Sequence, residues 1–441
     1  MKIIKKIRKK RRKLIRRFFK SPIKKRLAQY SKTHPRFRKC WKKILYTKRR
    51  IYYWWRGLGV TPDEKTVVFN SFNGKTYGCS PKAVYEYMLT QDEFKDWTFI
   101  WAFKNAKKHR FLEENPNTIV VKQTARVYEK KLIRAKYWIT NYRVPDHVWP
   151  QKDQVYVQCW HGTPLKRLGY DLETSENAID SIADIRKKYA MDAEKFNYIL
   201  SPSGFASEKF TSAWNLKETK MEDKVMEIGY PRNDFLINHT QEDIRMIKEK
   251  LEIPEDKKVI LYAPTWRDNQ HEAGTGFTYD LNVDFDALRQ ELGDEYVILF
   301  RVHYLVASKF SFDDYEGFIY NVSNYDDINH LYLIADLLIT DYSSVFFDYG
   351  IFEKADAVFI CMIWKIIRTV SADSILVLIN FRERSLQRKK NCRMRSVTVS
   401  IILSTTTNTG NSTKPSATGR WSGKQAFCRL GIPGRERIES K

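Results

Sequence analysis

A histidine at the end of an apolar run is where chemistry first becomes legible in this chain, in the segment Cys159-Trp160-His161-Gly162-Thr163-Pro164-Leu165-Lys166. Imidazole has an ordinary pKa close to neutrality, so it accepts or gives up a proton near pH 7. Residues 154–160 are rich in β-formers and predict a strand. Gly162 permits a tight turn, and Thr163-Pro164 suits the start of the next element. In open α/β sheets, ligands bind outside the carboxyl ends of the strands. His161 is therefore a candidate for proton transfer, with an ordinary loop histidine as the alternative reading.

Three later strands predicted by their apolar character also end in polar clusters. Residues 261–262 lead into Ala263-Pro264-Thr265-Trp266-Arg267-Asp268, residues 299–300 into Arg301-Val302-His303, and residues 338–339 into Thr340-Asp341-Tyr342-Ser343-Ser344. The last cluster precedes the apolar face Val345, Phe346 and Tyr349, which predicts a helix start. Hydroxyls and free N–H groups at such a start attract anions, whereas the simpler reading makes Asp341 or Ser343 a cap alone. Arg267, Arg301 and His303 on neighbouring strand ends favour a phosphorylated ligand.

Positioning these groups requires parallel strands. β-rich runs at 67–70, 99–102, 118–121, 137–140, 155–157 and 198–200 alternate with longer amphipathic stretches, and the rhythm restarts after Gly229-Tyr230-Pro231 with runs at 259–262, 296–300 and 337–340. The expected fold class is α/β, with two doubly wound Rossmann-type domains at residues 63–225 and 226–356 and a cleft between them. The six cysteines show no Cys-x-x-Cys pair, which argues for a reducing compartment and no structural metal.

Charge is unevenly distributed along the chain. Residues 1–62 hold 25 Lys or Arg and no acid, residues 63–356 hold 37 bases against 48 acids, and residues 357–441 hold 16 bases against 4 acids. Ile3, Ile4, Ile7, Leu14, Ile15, Phe18 and Phe19 cluster on one side of a helical wheel otherwise filled by Lys and Arg, the pattern of a helix lying in an anionic membrane surface. Tyr52, Tyr53, Trp54 and Trp55 suit the headgroup level. No apolar run is long enough to span a bilayer, and no secretory signal is present. The arm of residues 1–56 is thus expected to hold the protein peripherally on the cytoplasmic side of the cell membrane. Nucleic acid, the rival partner for such a basic segment, is not expected.

Taken in order, Trp160-His161-Gly162-Thr163-Pro164-Leu165-Lys166, Ala263-Pro264-Thr265-Trp266-Arg267, Arg301-Val302-His303 and Thr340-Asp341-Tyr342-Ser343-Ser344-Val345 resemble the CDP-glycerol glycerophosphotransferase family of teichoic-acid and capsule polymerases. The resemblance covers roughly residues 63–355. It implies a GT-B-like fold, a CDP-linked polyol phosphate donor and a lipid-linked glycerophosphate or disaccharide acceptor. No metal constellation is visible in the sequence, so no cofactor is expected, with room for a loosely held Mg²⁺ on the diphosphate. By position, His161 matches the catalytic histidine and His303 a second essential histidine that helps hold donor phosphate. Arg267, Thr340, Ser343 and Ser344 occupy positions associated with the donor diphosphate, and Thr163, Arg301 and Asp341 complete the expected donor-binding set. Glycerol and ribitol donors, and primase and polymerase activities, stay open. So do a nucleotide-sugar glycosyltransferase of the same fold and a noncatalytic, membrane-associated nucleotide-binding protein.

After Lys354 the α/β pattern fades into segments such as Gln387-Arg388-Lys389-Lys390 and Thr405-Thr406-Thr407. The acidic and aromatic continuation that the resemblance implies is missing. The composition favours a frameshift near residues 353–360, which would leave the product truncated or inactive, over a divergent disordered tail.

Overall fold

The computed structural model describes residues 30, 33–173, 181–264, 271–272, 276–277, 285–302, 312–340, 343–352, 356–359, 380–383 and 397–400. Its contacts divide the chain into two units, Met1–Val60 with Val144–Trp149, and Thr61–Arg143 with Pro150–Lys441.

The smaller unit is built on helix α1 (Pro35–Gly57), whose opening proline fits the first turn, where its missing N–H would be unpaired anyway. No acid lies on this helix. Ile44, Ile51, Tyr52, Trp54 and Trp55 are exposed, whereas Tyr53 is buried. The Arg50 guanidinium lies 5.0 Å from the centre of the Trp149 ring. Among the described residues no helix is long and apolar enough to cross a membrane. The amphipathic segment expected at residues 1–20 lies outside the described residues.

In the larger unit, strands β1 (Asp63–Asn70), β2 (Thr98–Phe103), β3 (Thr118–Lys122), β4 (Ala135–Thr140), β5 (Val155–Gln158), β6 (Tyr198–Ser201) and β7 (Val225–Glu227) form one parallel sheet in the order β3-β2-β1-β4-β5-β6-β7. Parallel strands covered on both faces are apolar almost throughout. Val67, Val68 and Phe69 on β1 and Phe99, Ile100 and Trp101 on β2 follow that rule and are all buried. Helices α2 (Cys79–Thr90), α3 (Ala125–Arg134), α4 (Ile182–Lys195) and α5 (Gly204–Ala213) connect the strands. Tyr85 of α2 packs edge-on against Phe69 and Trp101. Strand order reverses between β1 and β4, so the loops after these two strands open a crevice at their carboxyl ends.

The rhythm restarts beyond helices α6 (Asp234–Asn238) and α7 (Gln241–Lys250), the latter closed by a reciprocal capping box of Thr240 and Asp243. Strands β8 (Lys258–Tyr262), β11 (Tyr296–Phe300), β12 (Ile319–Asn321), β13 (Leu337–Thr340) and β14 (Asp356–Phe359) run parallel in the order β12-β11-β8-β13-β14. A two-stranded hairpin, β9 (His271–Glu272) with β10 (Gly276–Phe277), stands apart from that sheet. Strands β15 (Asn380–Glu383) and β16 (Val397–Ser400) extend its β14 edge in antiparallel sense. Helices α8 (Phe285–Leu292), α9 (Ile328–Ile334) and α10 (Val345–Tyr349) complete the second set. Its strand order reverses between β8 and β13, where the buried Thr340 hydroxyl donates to the Ala263 carbonyl at 2.7 Å.

Two ion pairs, one largely buried and one exposed, join the two sets within this unit. Lys82 of α2 pairs with Asp327, the N-cap of α9, at 2.7 Å, and Lys108 pairs with Asp326 at 2.8 Å. Gly78 lies so close that a Cβ there would come 2.9 Å from the Asp326 carbonyl oxygen.

Candidate active site

The reversal between β1 and β4 is lined by Ser71 and Asn141, each the first residue beyond its strand. Asn141 Oδ1 accepts from the Phe72 amide at 2.7 Å, and Ser71 Oγ donates to the Gly78 carbonyl at 2.9 Å. These bonds fix the loop from β1 to α2, in which Phe72, Asn73 and Gly74 all take left-handed conformations. Such conformations strain residues other than glycine and tend to occur where the surroundings enforce them.

His161 lies next to this loop. Its Nδ1 is 2.9 Å from the Asn141 carbonyl oxygen. A carbonyl only accepts, so Nδ1 carries the proton, and the neutral ring keeps its lone pair on Nε2, which has no partner among the described residues. The Phe72 ring meets the imidazole edge to face at 5.7 Å, and the Trp160 ring lies against it at 4.5 Å. Trp160 is itself left-handed (φ 51°) and is wedged against Trp214 at 4.9 Å. The chain before it is braced by Gln158, whose Oε1 accepts from the Trp160 amide at 3.0 Å.

His161 is exposed to solvent on one side, yet protein atoms crowd closely around the ring. Burial lowers its pKa to about 4, the bond to Asn141 acts against this, and the Arg232 charge pushes further down. At neutral pH His161 is therefore an uncharged proton acceptor.

Gly162 brings the second set of strands to this point. A Cβ there would stand 2.6 Å from Ser344 Oγ, so a glycine is needed for the two motifs to meet. Thr163 is buried beside it. Ser344 is the N-cap of α10 but makes no side-chain capping bond, and Ser343 precedes it, half-buried. The other end of α10 is fixed by Asp348, which accepts two hydrogen bonds from buried Arg232 at 3.0 and 2.8 Å and one from Asn233 at 3.1 Å. Arg232 also stacks on Tyr230, its guanidinium carbon 4.2 Å from the ring centre.

The structure thus brings His161, Gly162, Thr163 and Ser344 together. Thr340 is buried in its bond to Ala263. Arg301 lies half-buried at the end of β11 and donates to the carbonyls of Val322 and Tyr325 at 2.9 and 3.0 Å. His303, Arg267 and Asp341 lie outside the described residues. Among the described residues, no three His, Cys, Asp or Glu side chains converge on a metal-binding geometry. Asn141, Phe72, Arg232 and Asp348 were not singled out from sequence. Asn141 was the findable one, a polar residue directly after an apolar strand beside the reversal of strand order.

The sequence pattern of the CDP-Glycerol:Poly(glycerophosphate) glycerophosphotransferase family matches residues 56–360. The chain is 43% identical over 287 residues to the teichoic acid poly(glycerol phosphate) polymerase of Bacillus subtilis (strain 168), a match covering 65% of this chain and 37% of that protein. To the teichoic acid glycerol-phosphate transferase of Staphylococcus aureus (strain NCTC 8325 / PS 47) it is 38% identical over 307 residues, covering 69% of this chain and 76% of that protein. A solved structure of the wall teichoic acid polymerase TagF superposes with a TM-score of 0.64 at 37% identity, over 75% of this chain and 79% of that one. The chain therefore spans under two fifths of the Bacillus subtilis polymerase's length while sharing the fold of TagF. With its four motifs inside the matched segment, the chain belongs to the CDP-glycerol:poly(glycerophosphate) glycerophosphotransferase family.

Proposed function

We propose that this protein transfers glycerol phosphate, or a related polyol phosphate, from a CDP-linked donor to the terminal hydroxyl of a glycerophosphate acceptor, releasing CMP. The observation that carries the reading is the neutral His161 ring, whose Nδ1–H is committed to Asn141 and whose Nε2 has no partner among the described residues. The acceptor oxygen attacks the phosphorus that bears the polyol, its proton passes to Nε2, and the bond from that phosphorus to the CMP oxygen breaks, its electron pair leaving with CMP. General-base assistance of this kind is worth about 10² to 10⁴ in rate.

Donor diphosphate would lie at the carboxyl edge of the second sheet in a GT-B-like arrangement of the two halves. Arg267, His303 and the amides and hydroxyls near Asp341, Ser343 and Ser344 offset its charge. Thr340 and Arg301 contribute by fixing the strand ends around it, since the hydroxyl proton of Thr340 is committed to Ala263 and Arg301 holds two loop carbonyls. A TagF variant similar to this chain has been solved after a soak with CDPG, which supports a CDP-linked donor here. The basic helix α1 with its exposed Trp54 and Trp55 supports peripheral attachment to the cytoplasmic face of an anionic membrane, where a lipid-linked acceptor would be presented.

The test is CMP release by the purified chain from CDP-glycerol and a glycerophosphate-primed acceptor, with CDP-ribitol and UDP-sugars as competing donors. Release with CDP-glycerol that disappears in His161→Ala is expected. UDP release from a UDP-sugar would instead establish a glycosyltransferase, and no turnover with any donor would leave a nucleotide-binding protein.

A further inference from the structure

Three segments at the carboxyl edge of the first sheet, each a strand end or the loop and first helical turn that follow it, are rich in cations. Residues 71–78, 104–111 and 122–128 carry Lys75, Lys104, Lys107, Lys108, Arg110, Lys122 and Arg126 and no Asp or Glu, whereas residues 63–356 as a whole hold 37 bases against 48 acids. The loops lie side by side. The Lys104 amide donates to the Gly74 carbonyl at 2.6 Å, the Gln123 amide donates to the Phe103 carbonyl at 2.7 Å, and Gln123 Nε2 donates to Asn73 Oδ1 at 2.8 Å. Gly74 is pressed so tightly between these strand ends that a Cβ would stand 2.9 Å from the Ala102 carbonyl oxygen.

Lys108 pairs with Asp326, and Arg110 lies 3.9 Å from Glu113. Lys104, Lys107 and Lys122 are exposed, and no ion pair engages them among the described residues. Lys75 follows three residues after Phe72, whose ring lies 5.7 Å from that of His161.

We propose that this edge is the track of the acceptor, holding successive phosphodiesters of a polyol phosphate chain whose terminal hydroxyl reaches His161. The inference rests on the function proposed above and adds where the anionic chain runs. Charge complementarity selects the ligand, since a repeating phosphodiester presents one negative charge per unit and a row of exposed lysines attracts such a chain along its length. Flexible lysines on pinned loops suit a chain that must advance after each addition, because point charges hold phosphate without fixing its orientation.

The experiment measures binding of fluorescent glycerol phosphate oligomers, a dimer and a decamer, to the full chain across a salt series, beside a titration with CDP-glycerol. Lys104, Lys107 and Lys122 are replaced together by Gln, surface changes expected to leave stability within about 0.5 kcal/mol per site. In the unaltered protein the decamer should bind at least tenfold more tightly than the dimer. The triple variant should lose roughly tenfold for the decamer, with a salt slope lowered by about 2, taking about 0.7 per lost contact from single-stranded nucleic acid. CDP-glycerol binding should not change. Equal decamer affinity in the triple variant would overturn the track, and so would an oligonucleotide of the same charge competing as well as the decamer. Failure of the unaltered protein to bind CDP-glycerol would count against the donor reading instead, and the length dependence would be read independently of it.

Discussion

At the carboxyl edge of the first sheet and at the junction of α2 with α9, the fold holds two imidazoles in the same state but in different surroundings. His161 and His330 both have pKa values lowered to about 4, in each case chiefly by burial. Both carry the proton on Nδ1. In His161 it goes to the Asn141 carbonyl, and in His330 to the Tyr325 hydroxyl at 3.0 Å. The difference lies at Nε2. In His330 that atom accepts from Lys82 Nζ at 3.2 Å, whereas in His161 it has no partner among the described residues. Lys82 in turn pairs with Asp327, so His330 belongs to a closed network that ties α2 to α9. A depressed pKa alone therefore does not separate the proposed base from the structural histidine; the difference at Nε2 does.

The largest effect expected from this contrast is on rate. His161→Ala should lower transfer by about 10² to 10⁴ while leaving the fold intact, since the ring makes one hydrogen bond to backbone and two aromatic contacts. His330→Gln should leave the rate at pH 7.5 within about threefold, because a group whose lone pair faces an ammonium takes no proton from substrate. Steady-state CMP release by both variants checks the pair. Equal losses would show that the two histidines do not divide chemistry and structure in this way.

The next effect is on stability. Asp327→Ala leaves Lys82 largely buried, with only Glu86 at 4.0 Å as a charged neighbour among the ion pairs described. Breaking a buried pair from one side costs about 3 to 5 kcal/mol. Replacing both partners by apolar residues, as in Lys82→Met with Asp327→Leu, should cost much less. Urea unfolding of the single and double variants tests this. A double variant no more stable than the single would mean that packing, and not the orphaned charge, sets the cost.

These contrasts also show what sequence could and could not carry. The strand ends were legible because an apolar run covered on both faces must stop where polar residues begin, and so His161, Arg301 and Thr340 all fall at or just beyond the strand ends predicted for them. What hydroxyls and guanidiniums bond to was not legible. Thr340 binds the Ala263 carbonyl and Arg301 two loop carbonyls, contacts set by the order of strands in the sheet and not by residue type. Arg232 with Asp348 was hidden for the same reason, the two being 116 positions apart. The loss of α/β pattern after Lys354 agrees with the family match ending at residue 360, one position after β14.

A smaller effect follows from pH. For each histidine the folded pKa lies below the unfolded value of about 6.5, so between those values the unfolded chain binds the proton and the folded chain does not. Their contribution to stability is complete above pH 6.5 and is lost as pH falls from there toward 4. For His330, which is mostly buried, the loss between pH 7 and pH 5 should be about 2 kcal/mol. His330→Gln, which cannot titrate, should flatten that part of the curve. An unchanged slope in urea midpoints between pH 7 and pH 5 would place the proton elsewhere.

The smallest effect concerns what surrounds each ring. Phe72 meets His161 edge to face with its backbone at φ 45°, a conformation held by the Asn141 bond to its amide. An aromatic contact of this kind is worth about 0.5 to 1.5 kcal/mol, so Phe72→Leu should slow transfer by roughly twofold to tenfold. A smaller side chain also lets more water around the imidazole, which raises its pKa from about 4 and moves the acid limb of kcat/KM upward. Tyr325→Phe is the matching change at the other ring: it removes the acceptor for Nδ1–H of His330 and should cost stability by about 1 to 3 kcal/mol without moving that acid limb. Because a general loss of rigidity would lower kcat at every pH, only the shift of the limb in Phe72→Leu, absent in Tyr325→Phe, identifies Phe72 as a residue that positions the imidazole proposed as base and shields one side of it from water.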